Sequence, residues 1–227
     1  MSEQTAKSSQ EKPAATREPR WRRRKDDRPK EIMDAALELF LQKGYAATRL
    51  EDIAQKASVT KGTLFIYFAN KEDLFNSLIL EGIAQMHSFS EISRLDFRAS
   101  ASESILLVVH NWWKFLANNL YGKLPKLIIT ESENFPEIGQ KYVNEVILPV
   151  RQMVTDIIKQ GILTGDFQPV NAEMAARIIL APLYMLLIWR HSAGPYDKVP
   201  TDEIEYLNTT INLALNGLKV VPVAKSQ

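Results

Sequence analysis

From Pro29 onward, apolar residues recur at the spacing of one helix face. Ile32, Ala35, Ala36, Leu39 and Phe40 follow i, i+3, i+4, i+7, i+8, and Gly44 supplies a stop. The stretch TRLEDIAQKA predicts a short second helix, with Thr48 and Glu51 in a capping-box pattern ahead of Leu50, Ile53, Ala54 and Ala57. Ser58 and Val59 leave room only for a tight turn before Thr60, which can cap a third helix while Val59 and Leu64 take the two positions of a hydrophobic staple. Asn70 caps a fourth helix, carried toward residue 93 by Leu74, Leu78, Ile79, Ile83 and Met86.

The pattern continues without a break into strands. Ser100 or Ser102 opens a helix through ILLVVHNWWKFLANNL to Gly122, and a short one runs from about Leu124 to Ser132. A long helix begins near Pro136, a favoured first-turn residue, and reaches Gly161, with a kink expected at Pro149. Asn171 caps a helix ending at Trp189, and Thr201, Asp202 and Glu203 open the last. No segment alternates with period two, so the predicted fold is all-α with about nine helices. The apolar run IILAPLYMLLIW, Ile178 to Trp189, is shorter than the roughly 20 residues of a membrane span and reads as a buried helix.

A composition of 45% hydrophobic and 24% charged residues over 227 positions can bury a core. The chain has no cysteine, which removes disulfides, thiolate metal sites and cysteine nucleophiles together, and MSEQTAKSSQ carries no apolar signal core, so a cytoplasmic location is expected. Charge matters once it is divided along the chain. Arg17, Arg20, Arg22, Arg23, Arg24, Lys25, Arg28 and Lys30 against Glu18, Asp26 and Asp27 make that segment +5, while the net charge of the whole is +1. Residues 1–27 are polar and without apolar period, and are expected to form a disordered basic arm.

Two short helices joined by a tight turn, the second capped and small-polar at its start, fit a helix-turn-helix that enters the DNA major groove N-terminus first. Thr48 and Thr60 bring hydroxyls, Lys61 can reach guanine, Gly62 permits close backbone approach, and Thr63 can read thymine or a polar edge. Tyr67 and Lys71 are placed for backbone phosphate, and Arg22, Arg23 and Arg24 can follow the backbone or enter the minor groove.

These residues stand in a stretch, Glu31 to Phe75, that resembles the N-terminal DNA-binding domain of the TetR family of bacterial transcriptional regulators. AALELF, KGYAATRLEDIA, VTKGTLF, YF and KEDLF agree with it in order and spacing. Two positions depart from the family pattern: Phe65 stands where tyrosine is usual, and Ile66 occupies an outward position that is often polar. The resemblance implies a helix-turn-helix domain over 28–70 and a larger helical effector-binding and dimerisation domain over 71–227. It also implies a repressor that binds a palindromic operator in double-stranded DNA as a homodimer and is released by a small-molecule effector, expected here to be apolar or aromatic.

The last helix spaces Ile204, Leu207, Ile211, Ala214 and Leu218 as an a/d-type seam, and the helix before it offers Ile178, Met185 and Trp189. Both stripes suit a homodimer interface, although the same spacing would close a monomer's core. Trp112, Trp113, Phe135, Tyr142 and Tyr184 are candidates to line an apolar effector cavity. Trp112 and Trp113 point about 100° apart, and one of them is expected to face a cavity or the surface. No catalytic residue, metal site or cofactor is expected: His87, His110 and His191 lie far apart, with no phosphate loop and no nucleophile elbow. The competing reading is a helical ligand-binding or adaptor protein without specific DNA binding.

Overall fold

The computed structural model describes residues 20–92 and 100–220, with side chains described from residue 27 and not for residues 91 and 92. It is helical throughout. No strand occurs among the described residues, only one isolated β-bridge between Phe167 and Lys219.

Helix α1, Arg20–Ala47, begins earlier than the apolar pattern does. Residues 20–27, assigned above to a disordered arm, continue this helix, while residues 1–19 lie outside the described residues. Lysine and arginine are good helix formers, and extending an existing helix is far easier than nucleating one. Absence of an apolar period therefore did not exclude a helix there. The regular helix is broken at Gly44 (φ 79°), a left-handed conformation that favours glycine.

α2 (Leu50–Lys56), α3 (Lys61–Tyr67) and α4 (Lys71–Ile92) follow. Thr60 caps α3 as expected, its Oγ1 accepting the Thr63 amide at 3.0 Å, and Leu64 is fully buried. Asn70 Oδ1 caps α4 by accepting the Asp73 amide at 2.8 Å. The capping box at α2 does not form. Arg49 is the N-cap, without a side-chain cap bond, because the Thr48 hydroxyl is engaged elsewhere.

The larger part consists of α5 (Ala101–Asn118), α6 (Leu124–Glu131), α7 (Pro136–Tyr142), α8 (Leu148–Thr164), α9 (Ala172–Arg190) and α10 (Glu203–Leu218). Ser100 and Glu103 form the capping box that opens α5. α7 and α8 are one rod joined by a π-helical turn, Val143–Ile147. This turn stands where a proline kink was expected. Pro149 has no N–H to donate and its ring crowds the preceding turn, and the wider turn relieves both. With the rod counted once there are nine α-helices among the described residues.

α9 passes the length and composition test for a membrane span, with 19 residues, so the run is longer than its sequence core suggested. Its inner face packs against α5, α6, α8 and α10, burying Ile179, Leu180, Leu183, Leu186 and Leu187, and it is a core helix. α10 turns Leu207, Ile211 and Leu218 inward, with Ala214 half-buried beside them. Leu207, Ile211 and Leu218 of the α10 seam therefore close the chain's own core, while Ile204 at its start stays half exposed, a distinction that spacing cannot make.

The two parts meet at an aromatic joint. Tyr45 from the end of α1, Phe75 from α4 and Phe135 at the N-cap of α7 pack with centroids 4.9 Å (Tyr45 to Phe75), 5.0 Å (Tyr45 to Phe135) and 4.7 Å (Phe75 to Phe135) apart. Phe40 joins from α1 at 5.5 Å from both Tyr45 and Phe75. Phe135, expected in the effector cavity, belongs to this joint. Phe135→Ala is predicted to cost about 3–5 kcal/mol in urea denaturation. A loss below about 1 kcal/mol would show that the two parts do not depend on the ring.

Candidate functional site

The first turn of α3 stands out from the surface, with Thr60, Lys61 and Gly62 exposed and Thr63 half-exposed. Thr60 Oγ1 lies 2.9 Å from Thr63 Oγ1, so the hydroxyls form one polar ridge at the helix N-terminus. A methyl group at Gly62 would meet nothing closer than Thr60 Oγ1 at 3.7 Å. The fold itself does not require glycine there. Phe65 and Ile66 are 43% and 73% exposed, giving the same helix an apolar outer edge.

Lys61 pairs with Glu51 on α2 while both side chains stay more than half exposed. The Lys61 hydrogen bond holds the Glu51 carboxyl below its usual range. A surface pair of this kind is worth little and exchanges readily for an external anion. Arg49, exposed at the start of α2, also acts electrostatically on Glu51, so it stands on this face although the sequence reading did not select it. Its signal was available: a single cation immediately before the first turn of a short helix.

Two residues assigned to DNA serve the fold instead. Thr48 is 1% exposed, and its hydroxyl donates to the Gly44 carbonyl at 2.7 Å and to the Leu39 carbonyl at 3.3 Å. Lys71 donates to the carbonyls of Tyr45, Ala46 and Thr48 at 2.9, 3.1 and 3.1 Å and lies 4.4 Å from the centroid of the Tyr45 ring. All donors of the ammonium are thereby used at the end of α1, where carbonyls lack intrahelical partners. Tyr67 is half-buried against the core. The backbone of Arg22, Arg23 and Arg24 belongs to α1, and their side chains lie outside the described residues.

The candidate ligand residues divide. Trp112 and Trp113 are both 3% exposed. Neither faces the surface, because α5 is covered over a wide arc: Trp112 packs edge-on against Phe89 at 5.3 Å, and Trp113 lies 5.8 Å from the Arg190 guanidinium. Tyr142 and Tyr184 do come together, in a cavity of about 440 Å³ between α6, the rod and α9. Ile128, Val143, Ile147 and Leu180 supply apolar walls, and Arg151 and Arg177 stand at the rim. Burial raises the pKa of both tyrosine hydroxyls, so they remain neutral donors. Neither has a hydrogen-bond partner among the described residues. The arginines were missed by a search restricted to aromatics; the clue is Val143, Ile147 and Arg151 at i, i+4, i+8, a cation ending an apolar stripe.

The outer face of α9 leaves Met174, Ile178, Met185 and Trp189 between 36% and 66% exposed. The α9 half of the expected interface is thus on the surface.

A helix-turn-helix with an open recognition turn, carried on a helical body with an apolar cavity, defines the class of ligand-responsive DNA-binding proteins. Residues 32–78 match the bacterial regulatory proteins of the tetR family, and residues 105–215 match the C-terminal domain of AefR-like transcriptional repressors. The chain is 30% identical over 181 residues to the HTH-type transcriptional regulator YhgD of Bacillus subtilis (strain 168), covering 76% of this chain and 89% of that one. It is 27% identical over 198 residues to the fatty acid metabolism regulator protein of the same organism, covering 86% and 98%. Among solved structures, FadR from Bacillus subtilis in complex with stearoyl-CoA superposes with a TM-score of 0.61 at 26% identity, covering 83% of this chain and 98% of that one. The chain belongs to the TetR family and is a transcriptional regulator.

Lys71→Ala removes the ammonium donor from the Ala46 and Thr48 carbonyls and one of two donors from that of Tyr45, and is predicted to lower stability by about 1–3 kcal/mol in urea denaturation. Unchanged stability would return Lys71 to the set of residues free to meet DNA.

Proposed function

We propose that this regulator is a repressor that binds a palindromic operator as a homodimer, through residues 28–70, and is released by a small amphiphilic effector. It acts by binding and does no chemistry on its ligand. The carrying observation is the position of α7. Phe135 at its N-cap is packed with Tyr45 and Phe75, while Tyr142 at its other end lines the cavity. A ligand that moves the Tyr142 end of α7 therefore acts on the ends of α1 and α4, to which the recognition helix is attached. Release follows if the ligand prefers the conformation in which two recognition helices are wrongly spaced for DNA.

The cavity supports an effector with an apolar body and a hydrogen-bonding or anionic end, matched to Tyr142, Tyr184 and Arg151. The stearoyl-CoA bound by the FadR relative has that character. The exposed apolar stripe of α9 supports the dimer, as an unpartnered face on a helix otherwise built into a core. On α10 the residues available for that contact are Ile204, the exposed first member of the seam, and Leu213, 50% and 70% exposed, while Leu207, Ile211 and Leu218 are buried.

Selection from random double-stranded DNA at physiological salt is predicted to yield a two-fold symmetric motif with half-sites about 34 Å apart or a multiple of it. Lys61→Ala should weaken binding to that motif and reduce the salt slope by about 1. No enriched motif, with binding that vanishes as salt rises, would overturn the regulator mechanism proposed here. Ile178→Asp should convert a dimer into a folded monomer in sedimentation velocity. A wild-type monomer at micromolar concentration would contradict the dimer.

A further inference from the structure

The crevice between α8 and α9 does not end at the cavity rim. Beyond Arg151 it opens into a groove of about 590 Å³ whose lining includes Gln152, Thr155 and Lys159 from α8 and Asn171 and Glu173 from the start of α9. Arg151 belongs to both spaces. Along the rod the same face runs Val143, Ile147, Arg151, Thr155, Lys159 at four-residue spacing, changing from apolar to cationic at Arg151. The facing wall changes at the same level: Tyr184, Ala181 and Leu180 line the cavity, Arg177 stands at its rim, and Glu173 and Asn171 line the groove.

The charges left free in this crevice are positive. Arg151 and Lys159 have no ion-pair partner among the described residues. Of the carboxylates only Glu173 lines the groove, and it is paired with Arg177 at 3.2 Å; Asp156 does not line it and keeps its charge on the neighbouring α8 surface, where it accepts a hydrogen bond from Gln152 at 2.7 Å. Asn171 Oδ1 is occupied by the Met174 amide at 3.1 Å, and the Thr155 hydroxyl donates to the Arg151 carbonyl at 2.8 Å. The unpartnered hydroxyls of Tyr142 and Tyr184 and the free guanidinium of Arg151 thus stand at the cavity end, and the Lys159 ammonium stands further along the groove.

We infer that the effector site has two parts. The apolar body of an amphiphile fills the cavity, and an extended, multiply charged anionic head passes Arg151 and lies along the groove beside Lys159. This rests on the reading of the cavity as the effector site. A simple carboxylate would be satisfied at Arg151 and the tyrosines and would not reach Lys159. A head carrying phosphate groups on a long linker uses both cations, and the two subsites then select a conjugated acyl group over the free acid.

Calorimetric titration of the full chain with palmitate and with palmitoyl-CoA tests this. Palmitoyl-CoA should bind at least about tenfold more tightly, Lys159→Ala should remove most of that advantage while leaving palmitate binding unchanged, and Arg151→Ala should weaken both. Lys159 is exposed, so its variant is expected to keep the wild-type melting temperature. Equal affinity for the two ligands, or a Lys159→Ala effect shared by both, would overturn the second subsite. If both were then lost together in Leu180→Trp, which fills the cavity, the effector reading would survive that failure. Binding of palmitoyl-CoA unaffected by Leu180→Trp would overturn the cavity reading and the two-part site with it.

Discussion

The Lys71 ammonium satisfies the carbonyls of Tyr45, Ala46 and Thr48 at and just past the end of α1. A helix end buried without donors would be costly. Lys71 is also the first residue of α4, so one side chain ties the end of the first helix to the start of the fourth. The aromatic joint is built on this tie: Tyr45 is held under the ammonium, and Phe75 and Phe135 close on it. A helix-turn-helix of some fifty residues has little core of its own. Here its core runs without a break into that of the larger part.

The cavity follows from a local conflict in the rod. Pro149 cannot donate within a regular helix, and the π turn before it places Val143 and Ile147 on the wall facing α6 and α9. π turns recur at functional sites because they re-aim side chains without ending a helix. The walls supply apolar area, and the polar groups they enclose are few, with the Tyr142 and Tyr184 hydroxyls unpartnered among the described residues. Cavity and DNA-binding domain are linked by α7, a helix of two turns, so a displacement at Tyr142 has a short rigid path to Phe135.

Most of this architecture was legible in the chain because its signals are local. Thr60, Asn70, Ser100, Asn171 and Asp202 all cap helices where the pattern places helix starts. What could not be read was the partner of a polar or apolar group distant in sequence. Lys71 and Thr48 look like residues for DNA until the carbonyls of α1 are brought beside them. Leu207, Ile211 and Leu218 have the spacing of an interface seam, but whether the facing helix comes from the same chain or another is not encoded in spacing. The adjacent tryptophans of α5 are both buried because helices cover it on two sides, which periodicity along one helix does not report. Residues 20–27 joined α1 because helix propagation needs no apolar face.

In the proposed mechanism, cavity occupancy reaches the recognition helices as a rigid displacement. Because the chain has no cysteine, Gln55→Cys on the exposed face of α2 gives each protomer a single spin-label site. Double electron–electron resonance between the two labels of the proposed dimer, with and without a ligand that dissociates the DNA complex, measures the spacing directly. The account predicts a narrow distance distribution that shifts as a whole when the ligand binds. An unchanged distribution, from a ligand that nonetheless releases DNA, would contradict it.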